Sequence, residues 1–188
     1  MYQLITCSSQ RTAIKRGKPS APFRWLYEKG YIVGHVLDYG CGKGDDVHFL
    51  KHQGYDIDRE ISGYDPYYKP IEWIVKGRRT LVYTTITCTY VLNTIRDSAL
   101  IVDILKHIQS LLSPRGEAFI TVRSDKRRLK GETRIGTFQG LVGLDLPIVR
   151  SVGGYKIYSL LKEDKIGKVV IETFPVKRKL DEGETNEC

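Results

Sequence analysis

Asp38-Tyr39-Gly40-Cys41-Gly42-Lys43-Gly44-Asp45-Asp46 is the stretch whose residue types and spacing can do chemistry. A Gly-x-Gly-x-Gly run follows directly on the apolar pair Val36-Leu37. Lacking a Cβ, Gly40 and Gly42 let the backbone turn tightly and lie against a ligand where a side chain would clash. The residues after the run predict a helix whose unpaired N–H groups face the same ligand. Asp38 stands just before the first glycine, where a carboxylate can meet a cationic group. Asp65 closes Ile61-Ser62-Gly63-Tyr64. It comes about 20 positions after Gly44, the spacing at which an acid on the next strand accepts ribose hydroxyls. A glycine-rich turn alone is weak evidence of a site, since glycines often only make turns. The turn and the two acids, each in a strand context, form a more specific set.

Other residues have two readings each. Asn93 can orient a reacting group or cap the helix that follows it. Tyr67 and Tyr68, after Asp65-Pro66, can stack on a base, cover an adenosine, or pack on a neighbouring helix. Arg11, Lys15 and Arg16 precede the first strand, where a basic segment can contact phosphates; the alternative is a solvated segment. Cys7, Cys41, Cys88 and Cys188 include no C-x-x-C pair, so neither a zinc site nor a disulfide framework is indicated. Cys88 reads as a buried strand cysteine. His35, His48, His52 and His107 share no ligand spacing, and no metal site is expected.

The elements that must position these residues alternate. Helices are expected over Phe23–Lys29, Asp45–Gln53 and Asp97–Leu112; the last has Leu100, Ile101, Ile104, Leu105, Ile108, Leu111 and Leu112 at helical spacing. Strands are expected over His35–Tyr39, Ile61–Tyr64, Thr80–Tyr90 and Glu117–Val122. Ser113-Pro114-Arg115-Gly116 reads as a turn. Tyr155–Leu161 and Lys168–Phe174 read as two final strands forming an antiparallel edge hairpin. Alternating strand and helix predicts an α/β fold with a mostly parallel sheet and helices on both faces.

The chain has 188 residues, the size of one domain, and a net charge of +8. Basic residues cluster in the first 34 residues, between Arg123 and Arg134, and at Lys177–Lys179, ahead of an acidic tail of Asp181, Glu182, Glu184 and Glu187. Such clusters attract phosphate-rich partners. No apolar run approaches the roughly 20 residues of a membrane span. Met1–Gln10 is too polar for a signal peptide, so the expected location is cytoplasmic. The expected organisation is a basic substrate-facing segment with the first helix (1–34), a core (35–176) and a flexible charged tail (177–188).

The motif residues resemble those of class I S-adenosylmethionine (SAM) dependent methyltransferases. Asp38 through Gly44 is similar to that superfamily's first motif, and Asp65 to its ribose-binding acid. Thr87–Ile95 is similar to its strand-four segment, and Leu112–Glu117 to its loop before strand five. A narrower resemblance, to methyltransferases associated with DNA phosphorothioation systems, rests on four segments. They are Arg11–Arg16, Asp38–Asp46, Gly63-Tyr64-Asp65-Pro66-Tyr67-Tyr68 and Tyr90-Val91-Leu92-Asn93. The resemblance implies a Rossmann-like sheet and SAM as cofactor. It implies a cofactor site of Asp38, Tyr39, Gly40, Cys41, Gly42, Gly44, Asp45, Asp65, Pro66, Tyr90 and Val91. It also implies an acceptor site that Arg11, Lys15, Arg16, Tyr67 and Tyr68 can serve. The Asn/Asp-Pro-Pro-Tyr signature of amino-directed nucleic-acid enzymes is absent, with Tyr90-Val91-Leu92-Asn93 in its place. The expected acceptor is a nucleic acid or nucleotide. The alternatives are a small metabolite, or a non-catalytic SAM-binding role beside a partner protein in a DNA-modification or defence system.

Overall fold

A computed structural model describes residues 13–56, 60–69, 82–125, 131–132 and 137–173. Three helices are present in this part of the chain: α1 (Ala21–Glu28), α2 (Asp45–His52) and α3 (Ser98–Leu111). The strands are β1 (Val36–Tyr39), β2 (Ile61–Tyr64), β3 (Tyr83–Thr89), β4 (Leu112–Arg123), β5 (Gly131–Glu132), β6 (Phe138–Gln139), β7 (Leu141–Leu144), β8 (Ile148–Val152), β9 (Tyr155–Leu161) and β10 (Val169–Glu172).

The central sheet has six strands in the order β2-β1-β3-β4-β9-β8. The first four run parallel, while β9 is antiparallel to β4 and β8 to β9. All four residues of β1 are buried, as suits a parallel strand covered on both faces. Alternation along the strands divides the core in two. Val36, Ile61, Phe119 and Ile157 pack with Phe23 and Leu26 of α1 and Val47 and Leu50 of α2. Leu37, Ile86, Ile120 and Leu160 pack with Ile101, Ile104, Leu105 and Ile108 of α3. Helices therefore cover both faces. Two of the helix starts are fixed by side chains: Ser20 caps α1 by accepting from Phe23 N, and Asp97 caps α3 by accepting from Ala99 N at 2.8 Å.

The chain leaves β1 on one side to form β2 and returns on the other side as β3. The carboxyl ends of β1 and β3 thus flank the point where strand order reverses, the place where ligands of open α/β sheets bind.

Two expected elements differ. Ser113–Gly116 is not a free turn but a distortion inside β4. The register steps from Tyr83↔Leu112 to Thr85↔Glu117, so the intervening residues bulge out. Pro114 cannot donate to a ladder and sits where none is required. Gly116 is packed so closely that a Cβ would stand 2.6 Å from the Tyr83 carbonyl oxygen. The C-terminal hairpin is β8–β9, turning at Gly153-Gly154, rather than a pairing of Tyr155–Leu161 with the final strand. The final strand, β10, pairs antiparallel with β7 in a separate two-stranded sheet. A two-residue Gly-Gly link is the shortest hairpin turn and prevails over the longer connection. Among the described residues no helix is long and apolar enough to cross a membrane.

Candidate functional site

The glycine-rich loop is tied to β2 and its acid by main-chain bonds. Gly40 N and Cys41 N donate to the Tyr64 carbonyl at 2.7 and 2.9 Å, and Gly44 N to Cys41 O at 2.9 Å. Gly42 N donates to Asp65 Oδ2 at 3.0 Å. Gly40 has φ +78, and a Cβ on it would run into the Val91 side chain. Gly42 has φ +53, and its Cβ would lie 3.2 Å from that of Ala13. Both positions are thus glycine-specific through backbone conformation and close approach together.

Asp65 is a hub. Oδ2 takes the Gly42 N–H, and Oδ1 takes the N–H groups of Tyr67 and Tyr68 at 2.9 and 3.0 Å. A carboxylate has about four acceptor positions, so room for one more donor remains.

These residues open onto a cavity of about 470 Å³, within the size range of small-ligand sites. Of the expected cofactor residues, Tyr39, Gly40, Cys41, Gly42, Asp45, Asp65, Pro66, Tyr90 and Val91 line it. Asp38 and Gly44 do not. Asp38 is 2% exposed beneath the loop and accepts the Thr87 hydroxyl at 3.0 Å. Burial, with Asp46 nearby, pushes its carboxyl up to about 8. Gly44 is the N-cap of α2. Tyr67 lines the cavity and is 60% exposed, whereas Tyr68 is not among its lining residues and packs edge-on against the Tyr67 ring.

Residues 13–20 form one wall of the cavity. They are latched to the first turn of α2. Arg16 N donates to Asp45 Oδ2 at 2.7 Å, and the Arg16 guanidinium sits 3.3 Å from Asp46 Oδ2. Asp46 also accepts from Ser20 N at 2.7 Å and Ser20 Oγ at 3.0 Å. Burial raises the Asp46 carboxyl above its ordinary range, opposed by Arg16 and the Ser20 bonds. Arg16 is therefore engaged within the fold instead of standing as a free cation. Lys15 is exposed, and Arg11 lies outside the described residues.

Asn93 does not cap α3 and is not among the residues lining the cavity. It is fully buried in a short 3₁₀ turn, Leu92–Thr94. Its Nδ2 donates to Gly140 O at 2.6 Å and its Oδ1 accepts from Arg123 N at 2.8 Å, while Asp97 provides the cap. It staples the end of β4 to the segment after β6, and both ends of its amide are occupied.

Several wall residues were not singled out as site residues from the sequence: Ile14, Ser20, Thr89, Arg123 and Gln139. Thr89 Oγ1 is buried and has no hydrogen-bond partner among the described residues. Arg123, the last residue of β4, holds its guanidinium 4.6 Å over the Tyr90 ring. Tyr90 has φ +61, the one non-glycine residue with positive φ among those described. The position of Arg123 at a strand's carboxyl end was the signal that could have marked it. Cys88 is fully buried in β3, and burial pushes its thiol up, away from nucleophilic character. No metal-binding group of His, Cys, Asp or Glu occurs among the described residues.

A family model described as "Methyltransferase domain" matches residues 14–140. No curated protein matches the sequence. Among solved structures, the chain is similar to the 1,6-didemethyltoxoflavin N1-methyltransferase of Burkholderia thailandensis. Identity is 17% and the TM-score 0.48, over 81% of this chain and 77% of that one. It is similar to an amino pentose methyltransferase from Micromonospora echinaspora at 12% identity and TM-score 0.42, over 89% and 80% of the two chains. A structure concerned with conversion of a disulfide bond into a thioacetal group in echinomycin biosynthesis shares 21% identity at TM-score 0.44. That match covers 59% of this chain and 52% of the other, about half its length.

Proposed function

The chain belongs to the methyltransferase domain family, a SAM-dependent class of enzyme, and we propose that its methyl acceptor is a nucleic acid or a nucleotide.

The residues present fit the donor. Gly40 and Gly42 line the cavity with main chain alone, Asp65 has a free acceptor position for a ribose hydroxyl, and the Thr89 hydroxyl, unpartnered among the described residues, borders the cavity. Tyr90 and Val91 supply the wall beside the loop. When bound, SAM supplies an electrophilic methyl group on a sulfonium centre. The chain's own task is then alignment: holding the acceptor atom in line with that methyl and keeping water out. A base is needed only for a poorly nucleophilic acceptor.

Charge at the cavity carries the acceptor proposal. Lys18, Lys43 and Arg123 line it and form no ion pair among the described residues, while Asp45 and Asp65 are engaged with main-chain N–H groups. The exposed Tyr67 ring at the rim suits a base. An affiliation with the methyltransferases of DNA phosphorothioation systems belongs to the same proposal, supported by the motif segments quoted above. The test is transfer of radiolabelled methyl from SAM to oligonucleotides and nucleotides by the intact chain. Label in either supports the proposal. Label only in small metabolites of an extract replaces it with the second reading. That reading draws support from a cavity of small-ligand size and from Arg16 being held by Asp46.

A further inference from the structure

We propose that Arg123, laid on the Tyr90 ring, is the specificity-determining anchor for an oxyanion, phosphate or carboxylate, carried by the methyl acceptor. This rests on the methyltransferase reading above.

Placement comes first. Asp65 follows β2 and Arg123 ends β4, at opposite sides of the parallel part of the sheet. Three strand spacings separate β2 from β4, about 14 Å. Both residues line the same cavity. A donor whose ribose sits at Asp65 therefore leaves the β4 side of the cavity to the acceptor, and Arg123 stands there.

Rigidity comes second. The Arg123 main chain is fixed by its N–H bond to Asn93 Oδ1 at 2.8 Å, and the guanidinium rests 4.6 Å from the Tyr90 centroid. Tyr90 is fixed in turn, its N–H donating to Thr121 O at 2.9 Å while its backbone holds φ +61. A non-glycine residue in this region stores strain that only an over-determined setting maintains, and such settings cluster at ligand clamps.

Unspent donors come third. Arg16, the other arginine of the cavity, is paired with Asp46. Arg123 forms no ion pair among the described residues. Stacking uses the flat face of the guanidinium, whereas its five N–H groups lie in the plane and can grip an oxyanion in bidentate fashion.

The test uses the intact chain with saturating S-adenosylhomocysteine. Calorimetry first measures that ligand in the parent, Arg123→Gln and Arg123→Lys. Each loaded protein is then titrated with the four ribonucleoside 5′-monophosphates and with benzoate. The expected result is that the parent binds at least one of these classes and that Arg123→Gln binds it about tenfold more weakly. Arg123→Lys, which keeps charge but loses the fork, falls between. Binding of the monophosphates alone identifies a phosphate source, and of benzoate alone a small carboxylate source; both support the anchor. Equal affinity in Arg123→Gln, or no binding of either class by the parent, overturns it. So does loss of S-adenosylhomocysteine binding in Arg123→Gln, which would place the arginine on the donor side. Failure of the parent to bind S-adenosylhomocysteine sinks the methyltransferase reading instead.

Discussion

Asp65 holds three main-chain N–H groups, so its removal acts on the loop as well as on the ligand. Asp65→Ala should weaken binding of S-adenosylhomocysteine by about 1–3 kcal/mol in calorimetry, the cost of unpaired polar groups. Unchanged affinity would remove Asp65 from the site. Gly42→Leu meets both the +53 φ and the Ala13 side chain. It should abolish donor binding while the far-ultraviolet circular dichroism of the sheet is retained. Asn93→Ala strands the Gly140 carbonyl and the Arg123 N–H in a buried setting. It should cost about 2–3 kcal/mol in urea unfolding. A variant of parental stability would show that water replaces the amide without loss. The glycines and Asp65 were legible in the sequence because their task is local: a tight turn and an acid one strand later. Asn93 was not, because its partners stand 30 and 47 positions away and nothing near it in sequence names them.

At the level of elements, the latch of residues 13–20 on α2 joins a wall of the cavity to two buried acids. Asp38 lies beneath the loop with its carboxyl raised from 3.8 to about 8 by burial. Between those values the folded chain keeps a proton that the unfolded chain has released, so unfolding releases a proton there. Stability from this group is thus highest below pH 3.8 and falls as pH rises toward 8. Burial acts on Asp46 in the same direction. Asp38→Asn keeps an acceptor for the Thr87 hydroxyl and should flatten the decline in urea-unfolding free energy from pH 4 to 8. A parallel decline in the variant would assign the effect elsewhere. Helix α3 was legible to within a residue at each end, since its apolar stripe and the Asp97 cap are local signals. The β8–β9 pairing was hidden. Ile148–Val152 includes Arg150 and Ser151 and leaves Ile148 53% exposed, so it lacks the apolar alternation of a buried strand. The bulge in β4 was hidden for the opposite reason: Ser-Pro-Arg-Gly carries turn chemistry, and only the opposing strand makes it part of a ladder.

For the whole molecule, the +8 charge is the property an acidic polymer would read first. Because Arg16 is held by Asp46, the informative variant of the N-terminal segment is Arg11→Ala with Lys15→Ala, leaving the latch intact. If both contact phosphates, the salt slope of oligonucleotide binding should fall by about two units, near one per contact. An unaltered slope with intact donor binding would make the segment ordinary surface and move a small acceptor to first place.

The β8–β9 turn has an evolutionary consequence. Since β9 runs antiparallel to β4, Gly153 and Gly154 lie at the end of the sheet where Arg123 stands, and Gly154 O receives the Ser124 N–H at 3.2 Å. Nothing lies within 4 Å of a Cβ built on either glycine. Lengthening a flexible loop costs little, about 0.6 kcal/mol per doubling. Insertions there would start from exposed glycines with open space around them, on the side of the sheet where Arg123 stands. This hairpin tip is where descendants of the fold can acquire a different substrate range while keeping the same donor loop.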